Sequence, residues 1–186
     1  MKIYIKNMVC HRCILAVINI LDECGIAYNS VIHGVADIKD NLSDSQLHNL
    51  SERLNLIGFS LINDRRSRII ESIKSLIIEL IHDSKEPIKV NLSEFLSSKL
   101  NYEYNYISQL FSEIEGRTIE KYYIAQRIEK AKELIVYDEL TLSEIAYQLG
   151  YSSTAYLSNQ FKKVTGLTPS HFKSVKSNKR LPLDKL

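Results

Sequence analysis

Cysteine is scarce in this chain: Cys10, Cys13 and Cys24 are all there is. Three thiols, an odd number, in a reducing compartment favour metal or redox chemistry over a disulfide framework. No apolar run is long enough to span a membrane. The stretch from Ile69 to Ile81 is interrupted by Glu71, Lys74 and Glu79, short of the roughly 20 uncharged residues that a span requires. The first residues, Lys2-Ile3-Tyr4-Ile5-Lys6, alternate like a strand and lack the basic start, apolar middle and small-residue cleavage site of a signal peptide. A cytoplasmic location without a membrane partner is therefore expected. A Ser/His/Asp set, a carboxylate pair and a phosphate-cradling glycine loop are absent as well, so no enzymatic activity is expected.

What is present is 186 residues, 45% hydrophobic and 25% charged, enough for one ordinary soluble domain or two small ones. The net charge of +2 is spread unevenly. Residues 1–83 hold nine cations against ten carboxylates, and residues 84–186 hold fifteen against twelve. The excess gathers in Lys162, Lys163, Lys173, Lys176, Lys179 and Arg180. These cations would serve phosphate contact or only a solvated basic tail.

Residues 1–64 alternate strand-like and helical runs. Ile3-Tyr4-Ile5 reads as a strand, and Ile14, Val17, Ile18 and Leu21 lie on one face of a helix that Gly25 closes. Tyr28 to Ile32 and Val35 to Ile38 read as strands joined near Gly34. Ser43 caps a second helix bearing Leu47, Leu50 and Leu54, and Phe59 to Ile62 is a last strand. The order βαββαβ predicts an α+β ferredoxin-like sandwich, a sheet covered on one face by two helices. Residues 65–83 read as one connecting helix whose Ile69, Ile70, Ile73, Leu76, Ile77, Leu80 and Ile81 make a stripe that must be buried. Its expected cover is the C-terminal domain, a dimer seam, or both. A short polar break, Ser84 to Pro87, precedes an all-α domain over residues 84–175, and residues 176–186 form a basic tail.

That all-α region contains a copy of itself displaced by 50 positions. Leu92-Ser93-Glu94 returns as Leu142-Ser143-Glu144, Tyr106 as Tyr156, Ser108 as Ser158, Phe111 as Phe161, Gly116 as Gly166 and Thr118 as Thr168. Apolar character persists at Phe95 and Ile145, Leu96 and Ala146, Ile107 and Leu157, Ile114 and Val164, and Tyr122 and Phe172. Each copy supplies two short helices and a tight turn. In the second, Ile145, Ala146 and Leu149 form the inner face of one helix, Gly150 ends it, and Ser153 caps the next. The pattern predicts Tyr156, Leu157, Phe161 and Val164 as the buried stripe of that next helix. Thr154, Ala155, Ser158, Asn159 and Lys162 would then face outward. Short hydroxyls and amides with one cation suit the major groove of double-stranded DNA, where they meet base edges and phosphate. In the first copy Tyr104, Asn105, Ser108, Gln109 and Ser112 occupy the matching positions.

Arg127-Ile128-Glu129-Lys130-Ala131-Lys132-Glu133-Leu134 resembles the linker helix of the AraC/XylS family of transcriptional regulators. Leu142 to Ala146, Gly150 to Ser153, Phe161-Lys162-Lys163, Gly166 and Thr168-Pro169-Ser170 resemble its C-terminal signature. The resemblance covers roughly residues 88–175 and implies a double helix-turn-helix domain. Two recognition helices would enter successive major-groove segments, with RNA polymerase as a further partner if the protein activates. The sequence departs from the family at Glu103, where a cap serine is usual, and at Leu96, where alanine is usual.

Sixty-four residues are too few for the metabolite-binding barrel that most members carry, so a smaller sensor is expected. Met8-Val9-Cys10-His11-Arg12-Cys13 falls between the first strand and the first helix. Two thiols three positions apart at a helix start can close on one soft ion, and the positive helix end favours the thiolate. Met-x-Cys-x-x-Cys at this junction resembles the heavy-metal-associated domain of copper chaperones. The resemblance implies Cys10 and Cys13 as ligands, Met8 as a loop anchor, and Asn7 where a glycine is usual. Thiolates point to Cu(I) first, then Zn(II). A redox pair and a structural or homodimerising module stay open, as does a metal carrier with a nucleic-acid-binding tail. The missing neighbouring Trp and active-site Pro count against a thioredoxin-like pair. Cys24 is expected as a buried small apolar residue and His11 as an exposed loop residue.

Overall fold

The computed structural model describes residues 1–83, 87, 89 and 91–175. The basic tail with Lys176, Lys179 and Arg180, and most of the break at 84–87, lie outside the described residues. The chain forms two compact units, Met1–Leu76 and Ile77–Leu186.

The first unit is a small α+β unit. Its strands are β1 (Lys2–Lys6), β2 (Tyr28–Ile32), β3 (Val35–Ile38) and β4 (Ser60–Ile62), with helices α1 (His11–Glu23) and α2 (Asp44–Leu56) between them. The sheet is antiparallel in the order β2-β3-β1-β4, with Ile3 opposite Ala36 and Ile5 opposite Leu61. Strand alternation sends Ile3, Ile5, Ala36 and Ile38 to one face, where they pack with Val17, Ile20 and Leu21 of α1 and Leu50 and Leu54 of α2. Ser43 accepts from Gln46 N while the Gln46 side chain accepts from Ser43 N, closing a capping box at the start of α2.

The sheet's other face is covered too, which the expected two-helix sandwich did not provide. Here α3 (Arg65–Ile78) meets it through Arg68 and Ser75. The Arg68 guanidinium sits 4.9 Å from the centre of the Tyr4 ring and donates to the carbonyls of Ile62 and Asn63. At the far end of the helix Ser75 meets the β2–β3 turn, where Gly34 has φ +73 and a Cβ would come within 2.7 Å of Ser75 Oγ. Glycine fits there on both counts, the positive φ and the small space beside the Ser75 hydroxyl. Ile69, Ile70 and Ile73 are buried. The expected single helix over 65–83 also changes at its end: Glu79–Asp83 is a π-helical turn.

The second unit is helical. It contains α4 (Leu92–Leu100), α5 (Tyr104–Glu115), α6 (Ile119–Tyr137), α7 (Leu142–Gln148), α8 (Thr154–Thr165) and α9 (Pro169–Val175). The 50-residue displacement read in the sequence reappears in the element starts: α4 and α7, α5 and α8, and α6 and α9 each begin 50 positions apart. Left-handed Gly116 and Gly166 end α5 and α8. The aromatic centre of each half repeats as well. Phe111 packs on Tyr122 at 5.7 Å and Phe161 on Phe172 at 5.4 Å between ring centres. The π-helical turn packs on α6, where His82 Nε2 and Gln126 Oε1 are 3.1 Å apart and Gln126 Nε2 donates to the Tyr122 hydroxyl at 3.0 Å. No described helix is long and apolar enough to cross a membrane.

Candidate nucleic-acid interface

The two helices expected to read bases, α5 and α8, are buried in the same phase. Ile107 and Phe111 on α5 are fully buried, as are Leu157 and Phe161 on α8. Asn105, Tyr106 and Gln109 face outward on the first helix, and Ala155, Tyr156, Asn159, Lys162 and Lys163 on the second. This corrects the expected stripe. Tyr156 is 53% exposed and Val164 48% exposed. At 100° per residue the inner line runs through Leu157, Phe161 and Thr165, so a residue one step before it is turned away.

The ten residues expected to meet DNA divide into three groups. Asn105, Gln109, Ala155, Asn159 and Lys162 are exposed on the outward faces. Ser108, Ser112, Thr154 and Ser158 are half-buried along the flank, where Thr154 Oγ1 lies 3.5 Å from Ser143 Oγ. Tyr104 is committed elsewhere: its hydroxyl donates to the Glu120 carboxylate. Partial burial, followed by that bond and charge, pushes the hydroxyl's pKa up. Residue-type reasoning left Tyr106 out, put Tyr156 in the core and gave Lys163 only as one of a group of cations for phosphate contact; the outward position of all three follows from helix phase. Each tyrosine leans on another ring, Tyr106 on Tyr102 at 5.6 Å and Tyr156 on Tyr151 at 5.9 Å.

The helix starts differ between copies. Ser153 accepts from Tyr156 N at 3.1 Å, whereas Glu103 makes no side-chain cap bond. The cations differ also: α8 carries Lys162 and Lys163, and α5 carries none. At α7, Thr141 and Glu144 close a capping box, and Glu144's carboxyl is held below its usual range by the bonds from Thr141. Tyr151, in the α7–α8 turn, donates to Gln160 Oε1 at 2.7 Å, and burial pushes its hydroxyl up to about 12.

In the first unit Cys10 caps α1 with extended backbone, and its Sγ lies 3.1 Å from that of Cys13. Burial and the contact with Cys10 push the Cys13 thiol up, opposite to the expectation from the helix end alone. Met8 is buried in the core below the loop. Asn7 adopts φ +73 and donates to the Gly58 carbonyl at 3.0 Å, so asparagine here takes the left-handed conformation that glycine adopts most readily. His11 is exposed as the first residue of α1, and Cys24 is half-buried rather than buried. Among the described residues no cluster of three or more His, Cys, Asp or Glu could hold a metal, so the pair offers two soft donors.

A helix-turn-helix domain family matches residues 96–174. YtdP of Bacillus subtilis (strain 168), an uncharacterized HTH-type transcriptional regulator, is 28% identical over 115 residues. That span is 62% of this chain and 15% of YtdP, so the chain covers only a small part of the relative's length. The solved C-terminal domain of AraT, a response regulator from Geobacillus stearothermophilus, is 26% identical. It matches with a TM-score of 0.52, covering 63% of this chain and 95% of that one. An AraC-type regulator from Chromobacterium violaceum shares the fold at 16% identity and a TM-score of 0.50, over 59% of this chain and 96% of that one. Residues 96–174 are thus a helix-turn-helix domain of AraC type, similar to those of the regulators above.

Proposed function

We propose that the chain is a sequence-specific DNA-binding transcriptional regulator that reads two adjacent major-groove segments with α5 and α8. The observation that carries this reading is the shared burial phase of the two helices, each with an amide-bearing outward face. Asn105 and Gln109 in one copy and Asn159 in the other suit bidentate bonds to adenine, and Lys162 and Lys163 suit phosphate. Selection from random double-stranded DNA is expected to enrich a motif bound more weakly as salt rises, because phosphate contacts release counterions. Asn159→Ala should cost about 1–3 kcal/mol on that motif and relax one position, whereas Lys162→Ala should weaken all sequences alike. Recovery of no motif would overturn the reading. A second copy of the chain, and RNA polymerase if the protein activates, complete the proposed partners.

For the first unit, the element order and the strand order β2-β3-β1-β4 support a ferredoxin-like sandwich of heavy-metal-associated type. The 3.1 Å approach of Cys10 and Cys13 supports a soft-ion site there. Two thiolates suffice for near-linear Cu(I). Zn(II) would require a third group or a second chain to complete the site. Cys10→Ser with Cys13→Ser is expected to abolish tight Cu(I) binding while leaving the fold and metal-free DNA binding intact. Metal titration with promoter occupancy measures both, and identical responses of the variant and the unaltered protein would refute the metal reading.

A further inference from the structure

The AraC-type resemblance marks Arg127 only as part of a linker helix, but its surroundings are unusual. Arg127 on α6 is 9% exposed, and two of its guanidinium nitrogens, Nε and Nη2, are buried without a hydrogen-bond partner among the described residues. Its Cζ lies 3.6 Å from the centre of the Tyr151 ring and 5.2 Å from that of Tyr123. A guanidinium that leaves donors unused in the interior is costly. At 3.6 Å it lies against the face of Tyr151, an arrangement that the planar cation of arginine suits.

Tyr151 passes that contact on to α8. Its backbone N–H bonds the Ala146 carbonyl of α7 at 2.8 Å. Its hydroxyl bonds Gln160, and its ring makes a T-shaped pair with Tyr156 on the outward face. The first copy differs: Asn101 stands 50 positions before Tyr151, and the ring that meets Tyr106 there is Tyr102, one residue later. We infer that Arg127 is a positioning residue for the second reading helix: stacked on Tyr151, it fixes the ring that holds Gln160 and Tyr156, and so sets the pose of α8. The inference rests on the DNA-binding reading above.

The test uses the full chain and DNA selected from random sequence, with the second-unit half of the motif defined as the half whose preference changes in Asn159→Ala. Arg127→Met keeps much of the volume and removes the charge. It is expected to retain helix content, flatten base preference in that half, weaken binding about tenfold and leave the other half unchanged. Tyr151→Phe keeps the stacking ring and drops the bond to Gln160; it covers the case in which Arg127→Met does not fold, and it should flatten the same half. Preference unchanged in Tyr151→Phe, or an equal loss in both halves in whichever variants fold, overturns the inference. If the unaltered protein selects no motif, the DNA-binding reading fails and takes this inference with it, an outcome distinguishable because it appears before any substitution.

Discussion

Replacing Phe161 with alanine is expected to destabilise the second helix-turn-helix by about 3–5 kcal/mol and to abolish DNA binding. The side chain is fully buried, and its ring meets Phe172 edge-on at 5.4 Å. Truncation removes apolar burial and leaves a cavity between α8 and α9. The loss is a large fraction of the whole stability of a domain, roughly 5–15 kcal/mol. Tyr156→Ala is the control on the same helix. With its ring about half exposed, that change should cost much less stability while still altering the reading face. Thermal unfolding of both variants measures the difference, and an unchanged melting temperature for Phe161→Ala would mean that the ring pair carries no load.

The second large effect concerns operator spacing. The 19 residues of α6 separate α5 from the second helix-turn-helix, and at 1.5 Å per residue they make a spacer of about 28 Å. That is close to one turn of B-DNA, about 34 Å. Inserting five base pairs between the two halves of the selected motif rotates one half to the opposite side of the duplex. Affinity should then fall about a hundredfold or more, toward the non-specific level. Fluorescence anisotropy on paired duplexes gives the ratio. Equal affinity for both spacings would show that α6 does not hold the reading helices at a fixed separation.

Much of this architecture was legible in the residues because local signals agreed with tertiary ones. Alternation placed β2 and β3, the Ser43 box placed α2, and the 50-residue repeat gave the order of helices from α4 to α9. What stayed hidden depended on contacts far apart in sequence. The bond from Tyr104 to Glu120 spans 16 positions and removes a residue that composition alone would assign to DNA. The stripe of Ile69, Ile70 and Ile73 announced burial but not the sheet face that supplies it, which the Arg68–Tyr4 stacking reveals. Tyrosine was the other source of error. Its ring is apolar enough to mimic a core residue and its hydroxyl tolerates water, so Tyr156 could not be placed by residue type.

The contact of His82 with Gln126 makes the first half of the helical unit sensitive to protons. Burial, the largest influence, depresses the imidazole's proton affinity, and Lys130 acts in the same direction; the bond to Gln126 and the charges of Glu133 and Asp83 oppose it. The folded state therefore prefers the neutral ring, so its contribution is complete above the ordinary histidine value of about 6.5. That contribution is lost as pH falls through the depressed folded value. Gln126 connects the ring to the Tyr122 hydroxyl, whereas the equivalent position in the second copy is Phe172, which has no hydroxyl to connect. Acidification should therefore loosen the Phe111–Tyr122 pair before the Phe161–Phe172 pair, measurable as amide exchange rising first in α5, and equal rates in α5 and α8 across that range would refute it.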